Sequence, residues 1–190
     1  KVFLKFIIHE GNPTRINSII FDEIDSLHHV IIENIFRFFQ NEIFIPAEIE
    51  RSISEILSHY ENSGFPFVTV KISSVVFFED SVSGLPFADI LLKIIPERES
   101  RIDLIEIRGN TSTKDYVILR EARITTGEKY VQRKIEDIPR RLNRLRFFDP
   151  VRTPEFYFNS KNEGVLVIEV KERVTNNFDG IIGYMPPRTD

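Results

Sequence analysis

Apolar and polar positions along the chain fall into a pattern that occurs twice. "RINSIIF" (Arg15 to Phe21) and "RIDLIEI" (Arg101 to Ile107) both place apolar residues at their second, fifth and seventh positions. Each reads as a short strand. Three eight- or nine-residue apolar runs, "FLKFIIHE", "DILLKIIPE" and "VLVIEVKE", each close on a glutamate: Glu10, Glu97 and Glu172. After "RINSIIF", Leu27, Ile31, Ile35 and Phe38 recur at helical spacing and predict a core-facing stripe. A second helical stripe, Ile49, Ile53, Ile56, Leu57 and Tyr60, stops at Gly64, a residue suited to the left-handed position past a helix end. "FPFVTVKISSVVFF" is rich in branched and aromatic residues and predicts a strand, with Ser73-Ser74 marking a bulge. The loop "EDSVSGLP" then leads into the strand "FADILLKII". The unit is β-α-α-β-β.

The second copy keeps this order. "RIDLIEIRG" is its first strand, and Gly109 permits a positive φ at the exit. Ser112 and Asp115 have the spacing of a capping box, which predicts Ser112 as the cap of a helix carrying Val117, Ile118 and Ala122. Gly127 allows the turn after it. Ile135, Ile138, Leu142 and Leu145 predict a second helix. Pro139 inside that pattern predicts a break, with the helix starting at the proline. "VRTPEFYF" and "GVLVIEV" form a hairpin. The chain therefore predicts an α+β fold made of tandem modules, each a three-stranded mixed sheet covered by two helices.

Composition narrows the possibilities. The 190 residues are 42% hydrophobic, enough for real cores. A net charge of -4 argues against nucleic-acid binding by bulk charge. The absence of cysteine excludes disulfides and thiolate chemistry. No run approaches the length of a membrane-spanning helix. His29 and Glu33 have i, i+4 spacing, which alone is a weak metal signal. No phosphate-binding loop, nucleophile elbow or dinucleotide fingerprint is present. Neither a catalytic site nor a cofactor is expected.

The β-α-α-β-β order, "IEIRGN" at Ile105 to Asn110, "GEKY" at Gly127 to Tyr130 and "RLNRLRFFDPV" before an edge strand resemble POTRA domains of BamA-type outer-membrane assembly factors. "YENSGFPFVTV" (Tyr60 to Val70) is similar to the family's junction between helix and strand, while "FDEIDS" departs from its usual Gly-Asn exit. The resemblance implies a boundary scheme. Residues 1–11 are the closing strand of a preceding POTRA domain, and 12–97 and 98–174 are the last two domains. Residues 175–190 are a linker and the start of a transmembrane β-barrel, signalled by Gly180, Gly183 and Tyr184.

The resemblance also implies a function. It is that of a periplasmic scaffold on an outer-membrane protein, partnered by unfolded β-barrel clients, accessory lipoproteins and its own C-terminal barrel. Clients would bind by β-augmentation, a strand added to an open sheet edge through main-chain hydrogen bonds. The alternative is the POTRA region of a transporter that secretes one passenger. The family's edge strand holds Pro150 and Pro154 in the last domain, and proline protects an edge. In the earlier domain the strand has no proline after Pro66. Its residues Phe67, Val68, Thr69, Val70, Lys71, Ile72 and Ser73 are the expected client-binding edge. Ile32, Phe36, Phe39 and Ile43 make a second apolar stripe, expected to face a partner. Arg133, Arg140, Arg141 and Arg144 make a basic row, expected to face the membrane or acidic partner residues.

Overall fold

The structure is a computed structural model and describes residues 3–7, 10–22 and 26–173. The expected barrel start at Gly180 to Tyr184 lies outside the described residues. Among those described, the chain forms two three-stranded sheets and four α-helices. It divides into two compact units, residues 1–103 with 126–134, and residues 104–125 with 135–190.

In the first unit the order is β1 (Arg15–Asp22), α1 (Ser26–Phe36), α2 (Pro46–Asn62), β2 (Thr69–Glu79) and β3 (Pro86–Ile95). The sheet order is β1-β3-β2, with β1 parallel and β2 antiparallel to β3. Along β3, Ala88, Ile90, Leu92 and Ile94 are buried. Their alternation with half-buried neighbours follows from the period-2 geometry of a strand covered on one face. Ile49, Ile56 and Tyr60 of α2 pack on them. The α2 helix ends as its sequence predicts: Gly64 takes φ +101° and the Phe65 amide donates to the Tyr60 carbonyl at 3.0 Å. The register of β2 slips between Ile72 and Ser74, leaving Ser73 as the extra residue of the expected bulge.

The second unit holds β4 (Leu104–Arg108), α3 (Asp115–Ala122), most of α4 (Gln132–Asn143), β5 (Glu155–Phe158) and β6 (Gly164–Glu169). Its sheet order is β4-β6-β5, again mixed. Val165, Leu166, Val167 and Ile168 of β6 are all buried, so this central strand is covered on both faces. On one face Leu166 sits opposite Ile105 of β4 and Phe156 of β5. On the other, Val165 and Val167 sit opposite Leu104 and Glu106 of β4 and Tyr157 and Glu155 of β5.

Four expectations change. Phe3 to Ile7 forms no strand; Phe3, Leu4, Phe6 and Ile7 stand exposed, because no described strand pairs with them. Pro139 does not start α4 but lies within it. Its helix-favouring φ and the buried stripe Ile135, Ile138 and Leu142 carry the helix through the missing N–H. Ser112 does not cap α3; the cap position is Lys114, and the Ser112 amide is turned to Glu172. Finally, α1 is rotated from its expected setting. Ile32 and Phe36 are buried at 0% and 7%, whereas Ile31 and Phe38 are 41% and 76% exposed. The side chain of Leu27 lies outside the described residues.

Candidate functional site

An open strand edge is a row of amide donors and carbonyl acceptors without partners, and it can take up a further strand. The two sheets present four such edges, and the sequence treats them differently.

The β2 edge is long. Its 11 residues, at about 3.3 Å each, run for roughly 36 Å. Among the described residues β2 is hydrogen-bonded to β3 alone, and no other strand or bridge lies along its outer side. Val70, Ile72, Val75 and Phe77 lie opposite the buried residues of β3 and share the helix-covered face. Thr69, Lys71, Ser74, Val76 and Phe78 share the other face. Val76 and Phe77 are 54% and 61% exposed, one on each face of the strand. Phe77 is met edge-on by Phe44 at 5.7 Å, and Phe78 stacks on Phe87 at 6.1 Å. Lys71 lies directly opposite Lys93, which is drawn to Asp22 at 3.7 Å. The expected edge residues Thr69 to Ser73 fall on this strand, while Phe67 and Val68 lie in the turn before it.

The β1 edge is partly filled by the chain itself. The Ile16 amide donates to the Glu42 carbonyl at 2.9 Å, and the Asn41 amide to the Ile16 carbonyl at 2.8 Å. Arg15 and Ile43 form an antiparallel bridge. Beyond it, β1 and α1 border a groove of about 520 Å³ that includes Ser18, Ile19, Glu33 and Arg37.

The β5 edge is short. It has four residues, begins right after the buried Pro154, and follows Val151, whose amide is held by the Asn143 side chain at 3.0 Å. The strand exit at β4 is closed differently. Gly109 takes φ +85°, and a Cβ there would lie 2.0 Å from the Val170 carbonyl oxygen. The Asn110 side-chain amide donates to the Thr113 carbonyl at 2.8 Å and to Asp115 at 2.7 Å. The Glu172 carboxylate accepts the Ser112 and Thr113 amides at 3.0 and 2.6 Å and the Thr111 hydroxyl at 2.6 Å. These bonds, the Thr111 hydroxyl first, hold its pKa down to about 2.

The remaining candidate residues are scattered. Ile32 and Phe36 belong to the first unit's core and Phe39 packs against it, so the expected partner stripe is interior at three of its four positions. Ile43 alone is exposed, at 44%. In the basic row, Arg140 and Arg141 both reach Asp137, at 2.7 and 3.4 Å. Arg141 is also withdrawn from the surface, donating to the Ala122 carbonyl at the end of α3 at 2.8 Å. Arg144 is exposed in the turn after α4, and Arg133 falls in the other compact unit. His29 meets Glu33 at 3.4 Å on an exposed face, and among the described residues no three His, Asp or Glu side chains converge as a metal site.

Sequence reading did not anticipate the pair His28 and His59, whose Nδ1 and Nε2 atoms are 2.8 Å apart. Burial, and then the neighbouring imidazole of His28, lower the His59 pKa. The pair has no local signal, because its members lie on different helices.

Comparison with known proteins follows the architecture. The family model for POTRA, described as a surface antigen variable number repeat, matches residues 14–87 and 100–173. The outer-membrane protein assembly factor BamA of Neorickettsia risticii is 30% identical over 145 residues, 76% of this chain and 19% of that protein. BamA of Nitratidesulfovibrio vulgaris is 25% identical over 187 residues, 96% of this chain and 23% of that protein. The chain thus spans about a fifth of the length of these relatives. The crystal structure of POTRA domains 3 to 5 of Haemophilus influenzae BamA superposes with a TM-score of 0.64 at 22% identity, covering 85% of this chain and 61% of that one. With both repeats matched and both sheets carrying the same β-α-α-β-β order, the chain belongs to the POTRA family, as a BamA-type fragment of two successive domains.

Proposed function

We propose that the chain is a periplasmic scaffold of an outer-membrane assembly factor, and that it takes extended segments of unfolded β-barrel proteins onto the outer edge of β2. The observation that carries this reading is the length of β2 combined with an outer side that no described strand occupies. Main-chain hydrogen bonds supply affinity there without reading side chains, which suits a module that meets many clients. Accessory lipoproteins and a C-terminal barrel belong to the same reading, which leans on relatives whose names are those of assembly factors. The proposed role is binding and needs no catalytic group or cofactor.

Amide hydrogen exchange on the chain, with peptides from several unrelated barrel proteins, tests it. The expected outcome is slowed exchange along Thr69 to Glu79 with every peptide, at weak affinity. A single tight peptide with the rest inert favours a transporter that serves one passenger. Protection elsewhere, with β2 unchanged, overturns the assignment of the edge.

A further inference from the structure

The turn that joins α1 to α2 displays large apolar side chains from a backbone that is held in place. Phe38 is 76% exposed, Ile43 44% and Ile45 43%. Together with Phe39, Glu42 and Glu48 they line a depression of about 410 Å³. The loop is not slack. The Phe39 amide bonds the Phe36 carbonyl at 3.0 Å and the Glu42 amide the Phe39 carbonyl at 3.1 Å. The Phe44 amide bonds the Thr14 carbonyl at 2.8 Å, and the Arg15 guanidinium reaches the Asn41 carbonyl at 2.6 Å. Asn41 completes the turn in the left-handed region, at φ 67°. A fixed loop that keeps three apolar side chains in water gains nothing from them in the free protein, and such patches mark interaction sites.

The rim says what kind of partner fits. Glu42 and Glu48 border the depression, and among the described residues neither has an ion-pair partner. Of the nearby cations, Arg15 is held on the Asn41 carbonyl and Arg37 lies over the Phe38 ring, 5.4 Å from its centre, so neither is paired with Glu42 or Glu48. An apolar floor with two uncompensated carboxylates complements an apolar side chain flanked by a positive one.

We propose that this depression docks a segment of a partner protein that seats an apolar side chain against Phe38, Ile43 and Ile45 and sets a lysine or arginine over Glu42 and Glu48. The residues differ from those of the β2 edge, so the two sites are separable by experiment.

The test is an NMR titration of the 190-residue chain with the synthetic peptide acetyl-Gly-Lys-Phe-Leu-Arg-Gly-amide. Its control is the counterpart with glutamate in place of lysine and arginine. Saturable amide shifts are expected at Phe38, Glu42, Ile43, Ile45 and Glu48, with the acidic peptide weaker by about fivefold or more. Glu42→Lys with Glu48→Lys should reverse the preference, and Phe38→Ser should weaken both peptides. Phe38 and Glu42 are exposed and outside the helices, so their variants should keep the urea midpoint. Glu48 lies in the first turn of α2, so Glu48→Lys should lower it slightly, and a large drop would show that a variant has disturbed the fold. Equal binding of the two peptides overturns the proposal, as do shifts confined to β2. Concentration-dependent shifts at the same residues without peptide would assign the depression to a second copy of this chain and overturn it too.

Discussion

Gly109 and Gly127 share a φ of +85° but differ in what surrounds them. A Cβ on Gly127 meets nothing within 4 Å, so Gly127→Ala carries only the cost of a left-handed alanine, about 1 kcal/mol. At Gly109 the same methyl would press on the Val170 carbonyl, and Gly109→Ala should cost about 2 kcal/mol or more. Urea denaturation of the two variants separates conformational strain from collision. Glu172 acts on the same loop. Its folded pKa of about 2 lies below the usual 4.5, so its contribution is fully present above pH 4.5 and is lost as pH falls through 2. Glu172→Gln should lower stability at neutral pH and flatten the stability profile across that acid window. A profile for the variant as steep as that of the parent chain would contradict this role. The glutamate that closes the strand was visible in the sequence. Its loop partners, about 60 residues away, were not, because a carboxylate held by backbone amides leaves no trace in the spacing of side chains.

The order of elements was legible because the hydrophobic period switches between 2 and 3.6 at nearly every boundary, and because the order repeats. Even the bulge at Ser73 showed as a break in alternation. The facing of α1 was not legible. Ile31, Ile35 and Phe38 form one apolar stripe, and Ile32, Phe36 and Phe39 form another about 100° around the helix. Periodicity cannot choose between them. The choice is made by long-range contact: Phe36 meets Phe21 of β1 at 5.3 Å, and the loop after α1 is stitched to Thr14 and Ile16. The two stripes therefore predict opposite mutant behaviour. Ile32→Ala removes a wholly buried side chain and should cost about 2 to 4 kcal/mol. Phe38→Ala trims a largely exposed one and should stay within about 0.5 kcal/mol of the parent. Thermal or urea denaturation gives both numbers, and a reversed order would restore the facing read from the sequence alone. The edges show the same division. Proline beside β5 announced a protected edge, but nothing in the sequence announced that Asn41 to Phe44 would fold back onto β1.

At the scale of the whole molecule, duplicated modules with one mixed sheet each give the chain several outer strands, and these differ in what an added strand would meet. The β5 strand offers four residues beside a proline, and β1 is partly filled by its own loop. The β2 strand offers 11 residues with no described strand beside it. If capture is by main-chain addition, it should depend on backbone donors and not on side-chain chemistry, and neighbouring positions make that a sharp test. Successive N–H groups along a strand point to opposite sides. Of Val75→Pro and Val76→Pro, one therefore removes a ladder bond to β3, at about 1 to 3 kcal/mol, and the other removes only a donor on the outer side. The first variant should lose stability in urea. The second should keep the parent's stability and lose binding of extended peptides from unrelated barrel proteins. A double dissociation of this kind is hard to produce by side-chain recognition, because both substitutions remove a valine. If the stable variant captures peptide as well as the parent does, clients are held elsewhere, and the length of β2 serves the fold alone.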